Sequence, residues 1–170
     1  MTETKGHFMA GTATSVQLRP MTDDEYTAWS ALMWEEYAHD RAKAGNTPLD
    51  EERAAAQAQQ AELLPDGLHT NHHFFWTVVD AADAQMGAVG KLWVFHDESK
   101  KQAFIYDIEM APEQRGKGYG RATLGALEDE MRTHGVTRIA LNVFGYNTVA
   151  RHLYQNVGYQ EVAIYMQKDI

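Results

Sequence analysis

Gln114-Arg115-Gly116-Lys117-Gly118-Tyr119-Gly120 stands between two different sequence patterns. Before it runs Phe104-Ile105-Tyr106-Asp107-Ile108-Glu109-Met110, a β-branched and aromatic stretch that reads as a strand. After it, from Ala122 to His134, Leu124, Leu127 and Met131 recur at helical spacing on one face. The order is strand, glycine-rich turn, helix. Glycines at alternate positions leave the backbone unshielded, so several N–H groups can point into one concavity. The helix adds its own unpaired N–H groups and the positive end of its dipole. A flexible surface loop is the plain alternative, but the pattern predicts an anion site, most often for phosphate.

The totals narrow what such a site serves. A chain of 170 residues is most simply one domain, here 15–170, behind a polar leader, 1–14, read as disordered. With 44% hydrophobic and 11% aromatic residues it reads as a folded protein with a real core. Its longest apolar runs fall far short of a bilayer span, and the leader has no apolar core for a signal peptide, so the default compartment is the cytoplasm. Having no cysteine removes disulfides, thiolate metal sites and a Cys nucleophile together. A net charge of −9 argues against nucleic acid as a partner and suits a cationic substrate such as an amine.

Working outward, Ser15 to Arg19 reads as a first strand, and Thr22-Asp23-Asp24-Glu25 as a capping box opening a helix that ends at Ala44-Gly45-Asn46-Thr47-Pro48. Leu49 to Leu64 has high helix propensity but a thin apolar face, which predicts a mobile helix at the edge of the fold. The period then changes to two. Phe74 to Val79, Gly87 to His96 and Gln102 to Met110 are strands joined by short polar turns, an antiparallel meander. Past the glycine turn, Arg138 to Phe144 reads as a strand reached by a crossover helix and so parallel to its predecessor. Asn147 N-caps a further helix closed by Gly158, and Tyr159 to Lys168 reads as a last strand with Val162, Ile164 and Met166 alternating. The fold class is α/β (α+β): a mixed central sheet flanked by about four helices.

Three phosphate-binding readings compete for the turn. A P-loop needs G-x-x-x-x-G-K-[ST], which is absent, and a dinucleotide fold needs G-x-G-x-x-G at the start of a parallel sheet. The third fits: Arg115-x-x-Gly118-x-Gly120, after Ile108-Glu109-Met110-Ala111-Pro112, resembles the acetyl-CoA motif [RQ]-x-x-G-x-[GA] of the GCN5-related N-acetyltransferase (GNAT) superfamily. A second block from Asn142 to Tyr159, with Asn147, Ala150, Leu153-Tyr154 and Gly158-Tyr159 at fixed steps, is similar to that family's later motif.

The resemblance implies two parallel strands that splay apart near Met110 and Phe144, with pantetheine in the gap. Backbone contacts then fall to Ile108, Glu109 and Met110, and the pyrophosphate to N–H groups of Gly116, Lys117, Gly118, Tyr119, Gly120 and Arg121, after Arg115. Lys117 and Arg121 either add charge to the phosphates or are simply solvated. Asn147 would bond the pantetheine arm as well as cap its helix. Tyr154 matches the family's tyrosine that protonates or hydrogen-bonds the sulfur, and the Met110 N–H is the implied oxyanion donor. For the base, Glu109 is the leading candidate, set against a plain ion-pairing role; Asp107 and His96 are weaker. The next strand offers only Asn142, which takes no proton.

For the acceptor, Trp34, Glu35, Glu36 and Tyr37 place aromatics beside carboxylates, which suits a cation, although an ordinary acidic helix face has the same composition. His69, His72 and His73 do not make a metal site, since adjacent strand residues face opposite ways. The expectation is an acetyl-CoA-dependent transfer to a small-molecule or peptide amine, with no metal, nucleic acid or membrane partner, and by family analogy a homodimer. A non-catalytic acyl-CoA-binding module, or a longer acyl donor, is the competing reading.

Overall fold

The computed structural model describes residues 14–168 and 170. Its elements in chain order are β1 (Val16–Pro20), α1 (Asp23–Gly45), α2 (Leu49–Leu63), β2 (His73–Asp80), β3 (Ala88–Asp97), β4 (Gln102–Met110), α3 (Tyr119–Thr133), β5 (Arg138–Leu141) and α4 (Thr148–Asn156). The five strands form one sheet in the order β1-β2-β3-β4-β5. The first four pair antiparallel and β4 pairs with β5 parallel, as short hairpin turns and one crossover helix require. The expected leader lies outside the described residues apart from Thr14, whose hydroxyl donates to the Lys117 carbonyl at 2.9 Å.

Alternation along the strands sends side chains to two cores. Trp76, Val78, Leu92, Val94, Ala103 and Ile105 pack under Leu124, Leu127 and Met131 of α3. On the opposite face Phe75 and Trp93 meet Trp29, Trp34 and Ala38 of α1 and Ala56 of α2. Fully burying an aliphatic or aromatic side chain contributes roughly 1.5–3 kcal/mol, so each face is anchored by several such contacts. The capping box forms: Thr22 Oγ1 accepts from the Glu25 N–H, and Glu25 Oε2 accepts from the Thr22 N–H at 2.9 Å. The helix it starts, α1, lies across the α1-side core.

The thin apolar face of α2 has Ala56 as its one fully buried residue, and the helix packs on α1 at the edge of the fold, as expected. Arg53 on Glu35 and Glu52 on Arg41, each at 2.6 Å, line the seam between the two helices. One expectation needs revision. The last strand, Tyr159 to Lys168, does not form. Val162, Ile164, Tyr165 and Met166 are exposed, and the segment is held instead by Glu161 on Arg151 and by the Gln167 amide donating to the Ala44 carbonyl. Alternation supplies an apolar face, but a strand also needs a ladder partner, and β5 stops at Leu141, short of the expected Phe144.

Candidate active site

The sheet opens between β4 and β5. Pairing runs only from Gln102–Ile105 against Arg138–Leu141, after which β4 continues to Met110 with a partner on its β3 edge alone. The gap beyond encloses about 150 Å³, lined by residues 105–108 of β4, residues 141–144 after β5, and Asn147, Ala150 and Tyr154 of α4. The Ala111 N–H donates to Val89 on β3 at 2.9 Å, and backbone groups alternate between edges, so the Met110 N–H and C=O face the open side. The Met110 carbonyl there accepts from Arg115 Nε at 3.0 Å.

A register break shapes the same strand. Trp93 pairs with Asp107 while Val94 pairs with Ile105, leaving Tyr106 as an extra residue. Such a bulge reverses the parity of side chains beyond it. Before it, Ala103 and Ile105 face the α3 core; after it, Ile108 and Met110 do. Tyr106 and Asp107 therefore both face α1. Asp107 accepts from the Trp29 indole N–H at 3.1 Å, and Tyr106 stacks on Trp93 with ring centroids 4.4 Å apart. Burial pushes the Asp107 carboxyl up to about 7; the Trp29 bond opposes this, the charges of Glu109 and Glu36 reinforce it, and Lys91 reduces it.

At the end of β4 lies the glycine turn. Gly116 (φ 75°) and Gly118 (φ 89°) occupy the left-handed region that side chains disfavour. A Cβ on Gly120 would stand 3.0 Å from Leu153 Cδ2, so this position keeps α3 close to α4. Gly118 is the N-cap of α3 and supplies no side-chain bond, whereas α1 and α4 are capped by Thr22 and Asn147. The first helical N–H with a carbonyl partner in this turn is that of Ala122, on Gly118. The N–H groups just before it suit an anion.

The side chains around this turn have other tasks. The Tyr119 hydroxyl donates to Asp80 Oδ2 at 2.5 Å and its ring is buried, which leaves only its backbone to the turn. Lys117 Nζ donates to Gln114 Oε1 at 3.1 Å, and Arg121 is exposed. Glu109 is bound by Arg115 at 3.2 Å.

From α4, Asn147 Oδ1 accepts from the Ala150 N–H at 3.1 Å, and Tyr154 lines the gap. Burial raises the Tyr154 hydroxyl to about 12, with the Asp107 charge adding to the effect. Of the four α1 residues read as acceptor contacts, Trp34 is buried against Trp93 and Tyr37. Glu35 is taken up by Arg53, and the Tyr37 hydroxyl donates to Gln59. Glu36 alone is near the charged end of β4. Partial burial and the charges of Glu109 and Asp40 raise its carboxyl, against Arg115. Asp40 accepts from Tyr146 at 2.5 Å, joining α1 to the loop after β5.

Sequence reasoning missed Trp29 and ranked Asp107 low. Trp29 sits at core spacing, and nothing in the residue order announces the bulge at Tyr106. Histidine lies elsewhere: His73 Nδ1 accepts from Trp93, His72 stands 3.5 Å from Glu98, and His96 is buried against His134. Among the described residues no cluster of three His, Cys, Asp or Glu could hold a metal ion, and no helix is long and apolar enough to cross a membrane. A larger open hollow beside His72 and Phe95–Ser99 lies at the opposite end of the sheet from Met110.

This arrangement has counterparts. Residues 24–159 match the Acetyltransferase (GNAT) family. The uncharacterized N-acetyltransferase YycN of Bacillus subtilis is 32% identical over 92% of this chain and 99% of its own. Its crystal structure superposes with a TM-score of 0.85 over the same shares of the two chains. The [ribosomal protein bS18]-alanine N-acetyltransferase of Salmonella typhimurium is 35% identical over 49% of this chain and 53% of its own. The spermidine N-acetyltransferase of Vibrio cholerae, solved with CoA and spermine, shares the fold at 22% identity and a TM-score of 0.62, covering 88% of this chain and 83% of that one. The chain belongs to the GNAT family and is an acetyl-CoA-dependent N-acetyltransferase.

Proposed function

We propose that this enzyme acetylates a positively charged primary amine, with acetyl-CoA and acceptor bound together and no covalent acetyl-enzyme. The observation that carries the acceptor reading is the convergence of Asp107, Glu109, Glu36 and Asp40 around the open end of the β4–β5 gap, opposed by Arg115 and Lys91. Carboxylates gathered at the mouth of a partly dry cleft raise the local concentration of a cationic amine. Amine acceptors in the names of the bS18-alanine and spermidine enzymes support this reading.

The donor's place follows from the backbone. Ile108 to Met110 offer an unpaired strand edge to the amides of a pantetheine arm, beside Asn147. The N–H groups from Gly116 to Arg121 suit its pyrophosphate, with Lys117 and Arg121 within the same turn. The open-edge N–H of Met110 is available to the thioester oxygen. Tyr154 stays protonated at neutral pH and donates toward the sulfur that leaves.

A panel of amines incubated with acetyl-CoA, read by release of free thiol, tests the reading. Diamines, polyamines and lysine amides are expected to exceed monoamines and carboxylate-bearing amines by about tenfold in kcat/KM, roughly 1.4 kcal/mol of selectivity. Tyr154→Phe is expected to lower kcat by about 10²-fold, the usual range for a lost proton donor. Equal rates with acidic amines would sink the cationic acceptor.

A further inference from the structure

We infer that Asp107, held by the Trp29 indole, takes the proton from the amine nitrogen. The inference rests on the acetyl-transfer reading above and adds to it the identity of the base and the helix that aims it. Four carboxylates lie near the gap, but they are not equivalent. Glu109 is claimed by Arg115, which at the same time binds the Met110 carbonyl, so its charge is part of the strand-end structure. Glu36 and Asp40 belong to α1 and are not among the residues that line the gap. Asp107 is the one that lines the gap itself, together with Tyr154.

Its geometry is that of a positioned base. The bulge at Tyr106 turns the carboxyl toward α1, where the Trp29 N–H fixes one oxygen, Oδ2, at 3.1 Å. A carboxyl so held keeps its second oxygen free to accept a proton. The residue keeps a small exposure and borders the gap. The groups facing it are Trp29 and Glu36 from α1, Lys91 from β3, Glu109 from its own strand and Tyr154 from α4. Two of these are anionic and one cationic, in keeping with a carboxyl that titrates near neutrality, where a general base works best. His96 is excluded by place, paired across from Ala103 at the far end of the sheet.

Protons and bonds balance. Asp107 accepts one proton from the nitrogen as the nitrogen lone pair forms the C–N bond to the acetyl carbon. The C–S bond breaks with its electrons going to sulfur, and Tyr154 supplies the proton that completes the thiol. Asp107 then gives its proton to water and Tyr154 regains one from water. An acceptor that arrives as an ammonium loses one further proton to solvent before transfer.

The test is the pH profile of kcat/KM for wild type, Asp107→Asn, Glu109→Gln and Trp29→Phe, with CoA binding by calorimetry confirming each fold. Wild type should gain activity through an acid limb near pH 7, because the base must be ionised. Asp107→Asn keeps an acceptor for Trp29 yet takes no proton, so it should lose about 10²–10³-fold and the limb with it. Glu109→Gln should keep the limb but move it to lower pH, since a neighbouring negative charge is gone. Trp29→Phe should move it to higher pH, since a bond to the ionised form is gone. If Asp107→Asn does not fold, the carboxyl carbon of Asp107 is followed by NMR in wild type; a midpoint matching the limb supports the assignment and one below about 5 overturns it. Persistence of the limb in folded Asp107→Asn overturns the inference and leaves acetyl transfer standing. A wild type that releases no thiol with any amine overturns the acetyl-transfer reading instead.

Discussion

The Trp29 indole N–H reaches Asp107 Oδ2 at 3.1 Å and joins residues 78 positions apart. Trp29 is also a centre of the α1-side core, in edge contact with Phe75 and Trp93. One side chain thus couples the packing of α1 on the sheet to the orientation of a carboxyl in the gap. Displacing α1 would release that carboxyl as well as expose the core.

Keeping Asp107 in this environment has a cost in stability that depends on pH. Its folded-state value of about 7 lies above the ordinary aspartate range, near 3.9, so between roughly pH 4 and 7 the folded chain holds a proton that the unfolded chain has lost. Stability is therefore full at low pH, falls as pH rises through that window, and has lost the whole contribution above about 7. Asp107→Asn removes this dependence. Denaturant unfolding at pH 5 and pH 8 should show the variant gaining on wild type by on the order of 1–2 kcal/mol at the higher pH, the shift being discounted for the open side of the carboxyl. A difference that does not change with pH would contradict the elevated value.

The β2–β3–β4 meander, the glycine turn and both capping motifs could be read from local chemistry, because each is set by short turns or by residues within a few positions of one another, whereas the pairing of β1 with β2, Val16 on Asp80, could not. The Thr22–Glu25 box and the Asn147 cap are of this kind. Features that depend on distant partners were not legible. Trp34 and Glu35 have the composition of an acceptor site, yet Trp34 packs on Trp93 and Glu35 pairs with Arg53. Alternation at Val162, Ile164 and Met166 looked like a strand because hydropathy says nothing of whether a neighbouring edge is present. The bulge at Tyr106 is the costliest omission. It shifts the face of Asp107 without any glycine or proline to mark it.

Gly90 is a second position whose importance comes from a partner far along the chain. It pairs with Met110, and a Cβ there would stand 2.5 Å from the Glu109 carbonyl oxygen and 2.5 Å from Met110 Cε. The methionine tip can move, but the carbonyl is part of the ladder, so β3 and β4 must part at the end that borders the gap. Gly90→Ala should destabilise by about 1–3 kcal/mol. For a chain of this size that lowers Tm by roughly 3–10 °C. Acetyl-CoA affinity should fall with it if the displaced backbone is, as proposed, the edge that meets the pantetheine arm. A Tm within about 1 °C of wild type would show that the strands yield more easily than the close contact implies.

Gly118 and Gly125 separate the role of the turn from the general effect of adding a methyl group to α3. At φ 89° an alanine at 118 is strained by about 1–2 kcal/mol, and its Cβ would also approach Thr14 Oγ1 at 3.3 Å. Relief of that strain rotates the peptide ahead of α3 and spoils the alignment of the N–H groups that suit a pyrophosphate. Gly125 is in the exposed middle of the same helix with nothing within 4 Å of an added Cβ, so alanine there should stabilise by roughly 0.5–1 kcal/mol through helix propensity. Calorimetric titration with CoA should show about tenfold weaker binding for Gly118→Ala and unchanged binding for Gly125→Ala. Equal affinity in both variants would mean that the turn's left-handed geometry is not what holds the donor, and that the side chains of Arg115, Lys117 and Arg121 carry the phosphates instead.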